Sequence, residues 1–152
     1  MAIAWQAKNS GELVVFHNRD ATVLAQKENS RITIFSTDSL ALDNRTVKAY
    51  NKGNFNQNIT LAPLQNLLWH KGNKILVLDS LSLYPDNAKP DVILLTQSPK
   101  VNMERLLQKL KPKQVVADAT NYKTYVARWA ATCRKQNIPF HATAEKGYYI
   151  LK

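Results

Sequence analysis

The chain has one cysteine, four glycines, three histidines and no apolar stretch long enough to cross a bilayer. Each shortage removes a class of protein. A lone Cys133 closes no internal disulfide, which excludes a small secreted scaffold held by bridges. Its place on an apolar helix stripe reads as a buried thiol rather than a nucleophile. With so few glycines, no Gly-rich loop is available to cradle phosphates. No Gly-x-Ser-x-Gly elbow presents a serine, and Ser98 is followed by proline. His17, His70 and His141 stand in separate strand-like runs without metal-ligand spacing. No metal site and no cofactor are therefore expected, although two histidines meeting in space would escape this reading. The opening MAIAWQ lacks the basic start and long apolar centre of a signal peptide. No repeat, low-complexity tract or Pro/Gly/Ser linker appears, so residues 1–152 read as a single soluble domain.

What is present is apolar and basic. Hydrophobic residues make up 45% of the chain, which excludes disorder and is enough for a core. The net charge is +10 and uneven. Residues 98–152 hold 11 Lys and Arg against 3 Asp and Glu, whereas residues 1–97 hold 10 against 8. A basic half fits a polyanion, either nucleic acid or an acidic lipid surface. The plain alternative is a surface kept soluble by charge.

The runs ELVVFH (12–17), TVLAQK (22–27) and RITIFS (31–36), separated by short polar breaks, predict an antiparallel meander. Alternation at Arg31-Ile32-Thr33-Ile34 predicts one wet face. A helix is expected over 43–51, with Asp43 or Asn44 as N-cap and Gly53 as its stop. Residues 52–60 read as a loop. QNLLWH and KILVLDS flank Lys71-Gly72-Asn73 as a hairpin, and 82–90 read as another loop. From Asp91 onward, apolar runs alternate with helical patterns: DVILLT, a helix with Met103, Leu106, Leu107 and Leu110 on one stripe, QVVADAT, and a longer helix. This predicts βαβ units and an α/β fold with a mixed sheet. Asn102 should cap the first helix and Thr120 or Asn121 the second. The second helix carries Tyr122, Tyr125, Val126, Trp129, Ala130 and Cys133 on its apolar face. A last aromatic strand, 148–151, follows Gly147. Right-handed crossovers place the loops 96–99 and 118–121 on one sheet edge, the edge where α/β proteins bind ligands.

Candidate site residues are mostly basic. Lys109, Lys111 and Lys113 cluster at a helix–strand junction. Asn121 and Lys123 open the second long helix, where free N–H groups and the helix dipole favour phosphate. Arg128 lies on that helix, on the opposite flank of the stripe from Lys123. These groups make no single track, because the lysines 109–113 belong to the opposite strand end from the Asp118 turn. Asp79 and Asp118 end predicted strands. They read as turn or helix caps before they read as an acid/base or magnesium pair. Tyr122, Tyr125 and Trp129 read as core.

The segment LLTQSPKVNMERLLQKLKPKQVVADATNYKTYVARWAATCRKQNIPFHATAEKGYYIL resembles the C-terminal region of the ComEC competence channels, in a Bacteroidetes-like form. The pattern that carries it is a PD-strand, a helix, a KPK-strand, D-x-x-N-Y-K, a W-x-x-x-C helix, IPFH and a KG-aromatic end. The resemblance implies a part of a larger inner-membrane protein that passes single-stranded DNA inward, with residues 1–10 as the stub after a membrane segment. It also implies a reduced metallo-β-lactamase-like region. The His-x-His-x-Asp-His ligand motif of that fold is missing, since the matching place reads Leu94-Leu95-Thr96-Gln97-Ser98-Pro99-Lys100. The expected function is a non-catalytic accessory domain that contacts single-stranded DNA weakly and without sequence preference, beside the channel portion of its own protein. No small-molecule substrate is expected. The alternatives are a metal-dependent nuclease or phosphoesterase built from dispersed residues, and a purely structural docking domain.

Overall fold

The computed structural model describes residues 11–39, 41–53, 58–85 and 87–152. The expected stub at 1–10 and part of the expected loop at 52–60 lie outside the described residues. Two five-stranded mixed sheets pack face to face, with helices on both outer faces.

The first sheet begins with the meander β1 (Glu12–Val15), β2 (Val23–Glu28) and β3 (Arg31–Ser36). A 3-10 turn (Ala41–Asp43) and α1 (Arg45–Gly53) then lead to β4 (Asn58–Pro63). Asn44 Oδ1 accepts from the N–H groups of Thr46 and Val47, which makes it the cap of α1. β4 pairs parallel with β3, Ile32 opposite Ile59. The unit β3–α1–β4 is thus a crossover in the N-terminal half, and the loop expected up to residue 60 ends earlier, at Asn58. The error has a physical reason. Asn58, Ile59 and Thr60 are exposed on an edge strand, so their pattern carries little burial signal, and pairing with β3 decides their state.

The second sheet starts with the hairpin β5 (Leu67–His70) and β6 (Asn73–Leu78). Lys71 and Gly72 both take positive φ, 49° and 80°, as a two-residue type I′ turn requires. β7 (Val92–Leu95), β8 (Gln114–Ala117) and β9 (Phe140–Ala142) follow in parallel. α2 (Met103–Leu110) and α3 (Lys123–Lys135) are the crossovers. Asn102 caps α2 as expected, accepting from the Arg105 N–H at 3.1 Å. A short α4 (Thr143–Lys146) precedes β10 (Tyr149–Leu151). β10 returns to the first sheet and pairs antiparallel with β1, Leu13 opposite Leu151. The expected mixed sheet is therefore two sheets, closed by the last strand.

Alternation sorts each strand between layers. Ile75, Val77, Val92, Leu94 and Val116 face Leu13, Val15, Leu24 and Phe35 between the sheets. Leu76, Leu78, Ile93, Leu95, Val115 and Ala117 face α2 and α3, where Trp129 and Cys133 are buried. Val14, Val23, Ala25, Ile32 and Ile34 face α1 through Val47. Burial on both faces is why these strands read as continuous apolar runs. The expected wet face of β3 dries along its length: Arg31 is exposed, Thr33 half-buried and Phe35 buried.

Candidate functional site

The C-terminal ends of β7 and β8 carry the loops expected to meet, and they do. Gln97 and Ser98 both adopt left-handed backbone, φ 59° and 53°. Each such non-glycine residue costs about 1–2 kcal/mol. Hydrogen bonds from the next loop hold them there. The Gln97 N–H donates to Thr120 Oγ1 at 2.8 Å and the Ser98 N–H to Asn121 Oδ1 at 2.7 Å. In return the Tyr122 N–H donates to Ser98 Oγ at 2.8 Å. Asn121 Nδ2 donates to the carbonyls of Leu95 and Asp118 at 2.7 and 3.0 Å. Asn121 is therefore a buried clamp between two strand ends, not the helix cap. The cap position of α3 is Tyr122, whose side chain makes no capping bond.

Asp118 is 2% exposed. Its Oδ2 accepts from Thr22 Oγ1 at 2.7 Å, across the two sheets and 96 residues of chain. Its Oδ1 accepts from the N–H and hydroxyl of Thr120. Burial pushes this carboxyl up to about 6, while the three hydrogen bonds pull it down. Both oxygens are held by the protein itself, which makes Asp118 a tie between sheets. Asp79 accepts from the Leu81 N–H at 3.0 Å in its own turn, as a capping aspartate does.

Two hollows flank this end. One of about 450 Å³ is lined by Arg19, Asp118, Asn121, Lys123, Phe140 and Glu145, among others. The other, of about 270 Å³, lies among Arg19, Gln97, Ser98, Thr120 and Tyr122. Arg19 reads in the sequence only as part of a turn, and nothing short of the fold shows that this turn overhangs the strand ends. The donor set does not fit a metal. Among the described residues no three His, Cys, Asp or Glu side chains are grouped for one. His17 lies 3.4 Å from Thr143 Oγ1, His141 bonds the Gly147 carbonyl at 2.9 Å, and His70 is buried at the other end.

The opposite end gathers the starts of β6, β7 and β8. Asp91 joins them. Its Oδ2 accepts from the Lys74 N–H at 2.9 Å, and its Oδ1 lies 3.5 Å from Lys113 Nζ. Lys111 ends α2 in left-handed backbone, φ 48°, with its N–H on the Leu107 carbonyl. Lys109 Nζ lies 5.9 Å from the Tyr84 ring. On the hairpin, Trp69 is opposite Lys74 and 61% exposed, with Lys74 Nζ 5.4 Å from its ring. Beneath it, Gln26 Nε2 donates to the Trp69 carbonyl at 2.7 Å and lies 3.3 Å from His70 Nδ1. Burial lowers the pKa of His70.

The six candidates thus divide. Lys109, Lys111 and Lys113 share one end, and Asn121 and Lys123 share the other. Arg128 stacks on the Tyr125 ring at 4.7 Å along α3. Trp129 is core and Cys133 is buried, its thiol pushed up to about 11 by desolvation. Tyr122 is not core: it is 66% exposed, because it precedes the first turn of α3. Sequence reasoning missed Lys71, Lys74 and Trp69. The hairpin turn fixes the Trp69–Lys74 register and was the signal that could have found the pair.

No helix among the described residues is long and apolar enough to cross a membrane. No curated protein and no solved structure matches the chain significantly. A family profile described as ComEC C-terminal domain matches residues 13–152, from the second residue of β1 to the last residue of the chain. The chain belongs to the ComEC C-terminal domain family, whose name ties it to the competence DNA-uptake protein.

Proposed function

We propose that this chain is a non-catalytic accessory domain of a DNA-uptake channel, and that it contacts the phosphates of single-stranded DNA weakly and without sequence preference. The observation that carries the non-catalytic part is Asp118. It is the buried carboxylate at the strand ends where chemistry is expected, and both of its oxygens are engaged by Thr22 and Thr120. The place that carries metal ligands in metallo-β-lactamases holds Gln97 and Ser98, whose N–H groups are spent on the neighbouring loop. The two-sheet sandwich with outer helices supports a reduced form of that fold.

Phosphate contact rests on charge and placement. Lys71, Lys74, Lys111 and Lys113 come from the hairpin turn, β6 and the α2–β8 junction to one end of the sandwich. Lys74 and Lys113 start two strand spacings apart, about 10 Å. Titrating the chain with a labelled single strand across a salt series, with and without manganese, tests the reading. Affinity that falls as salt rises, with intact DNA, is the expected result. Manganese-dependent cleavage that is lost in Asp118→Ala would overturn it and favour a nuclease. Neither binding nor cleavage would leave a docking domain.

A further inference from the structure

We infer that Trp69 is a stacking platform for an unpaired nucleobase, with Lys71, Lys74 and Lys113 placed for the adjoining phosphates. This deepens the reading above and rests on it. Four observations converge. Trp69 is 61% exposed, whereas Trp129 is 4% exposed. Among the described residues β5, which carries Trp69, is an edge strand, and no described strand covers its outer side. Among its described residues the connection from β6 to β7 contains no helix, unlike those from β7 to β8 and from β8 to β9, so none of them shields as a helix the β5–β6 face on which Trp69 stands with Leu67 and Lys74. Its backbone is fixed by the cross-strand pairing and by the Gln26 bond to its carbonyl, so the ring is presented from a rigid base.

Cations lie beside the ring, and one carboxylate, Glu28, lies near its backbone, accepting from Gln26 Nε2 at 3.0 Å. Lys74 Nζ is 5.4 Å from the ring, and Lys71 begins the turn that follows His70. Lys113 is reached through Asp91, which binds the backbone of Lys74 and the side chain of Lys113. A flat π-surface beside spaced cations is the arrangement that single strands use, since every base has a stacking face and every linkage a charge. A protein partner for the same patch would have to bring acids to several lysines as well as an apolar pocket for the indole. Duplex DNA offers phosphates but no free base.

The test uses the whole 152-residue chain and a labelled oligothymidylate, with a duplex of equal length as control. Trp69→Ala should lower single-strand affinity roughly tenfold, as loss of one stacked base does. Trp69→Phe should keep most of it, and duplex affinity should not change in either variant. Equal unfolding midpoints show that the variants fold. If the wild type binds single strands, and Lys111→Glu with Lys113→Glu weakens binding while Trp69→Ala does not, the platform fails and the phosphate reading stands. If the wild type binds no single strand, that reading fails and the platform with it. If Trp69→Ala leaves DNA affinity intact but abolishes binding to the purified channel portion, Trp69 is a protein anchor and the inference is overturned.

Discussion

The two ends of the sandwich spend their polar groups differently. At the Asp118 end the strand-end groups are turned inward: a carboxylate, an amide, two threonines and two left-handed backbones bind one another, while Arg19, Tyr122 and Lys123 stay exposed around them. At the lysine end, two acids, Asp91 and Glu28, sit among several lysines, and a tryptophan is left in solvent. The comparison teaches that a strand-end position does not by itself make a site. An end whose groups satisfy one another holds a fold together. An end with surplus cations and an uncovered ring has something left for a partner.

The largest expected effect concerns what both ends share. Trp129→Ala should destabilise the chain by about 3–5 kcal/mol, since it empties the layer between α3 and the second sheet. A near-native urea midpoint would mean that the ends do not depend on that core.

The next prediction tests the closed end through pH. The carboxyl of Asp118 rises from its ordinary 3.8 to about 6 on folding. The folded protein then favours the protonated acid. The stability this contributes is full below pH 3.8 and is lost as pH rises through about 6. The loss amounts to about 3 kcal/mol at most, at 1.36 kcal/mol per unit. Asp118→Asn should remove this slope, and unfolding midpoints at pH 4, 5, 6 and 7 read it. Equal slopes in both proteins would show that Asp118 is not the buried tie described above.

At the open end, Lys111→Gly should separate stability from binding. Glycine relieves a left-handed lysine and should stabilise by about 1 kcal/mol, while removing a cation weakens single-strand affinity a few-fold. Affinity that rises with the stability would contradict the placement of Lys111 at a phosphate surface.

The smallest effect is at His70, whose pKa falls on burial. Its contribution to stability is present above its ordinary 6.5 and is lost as pH drops below that value, the reverse of Asp118. His70→Gln should flatten the acid side of the stability profile. An unchanged acid limb would assign that slope elsewhere.

Much of the fold is legible in the sequence, because most of it rests on local pattern. The β5–β6 hairpin follows from its turn, α2 from the stripe Met103, Leu106, Leu107 and Leu110 with Asn102 as cap, and the inner strands from apolar runs buried on two faces. What escaped depends on partners far along the chain. β4 is a strand because β3 lies beside it, and β10 leaves its neighbours in sequence to pair with β1. The same holds for the candidate site. That loops 96–99 and 118–121 share an edge follows from crossover handedness. That Thr22 binds Asp118, or that Arg19 overhangs both hollows, does not. The division of the lysines was legible from strand direction alone, while Trp69 was hidden because an aromatic in a strand reads first as core.

The pairing of β1 with β10 has a mechanical consequence. Gly11 and Lys152 lie at the same end of the sandwich, where a Cβ on Gly11 would meet the carbonyl of Lys27 at 2.6 Å and the side chain of Lys71 at 3.3 Å. A pull applied at Gly11 and Lys152 would not load the β1–β10 hydrogen bonds together. It would open them one after another, like a zip, and β10 has only three residues to resist. The last strand to join the first sheet is then the first to leave under tension, taking Tyr149 and Leu151 from between the sheets.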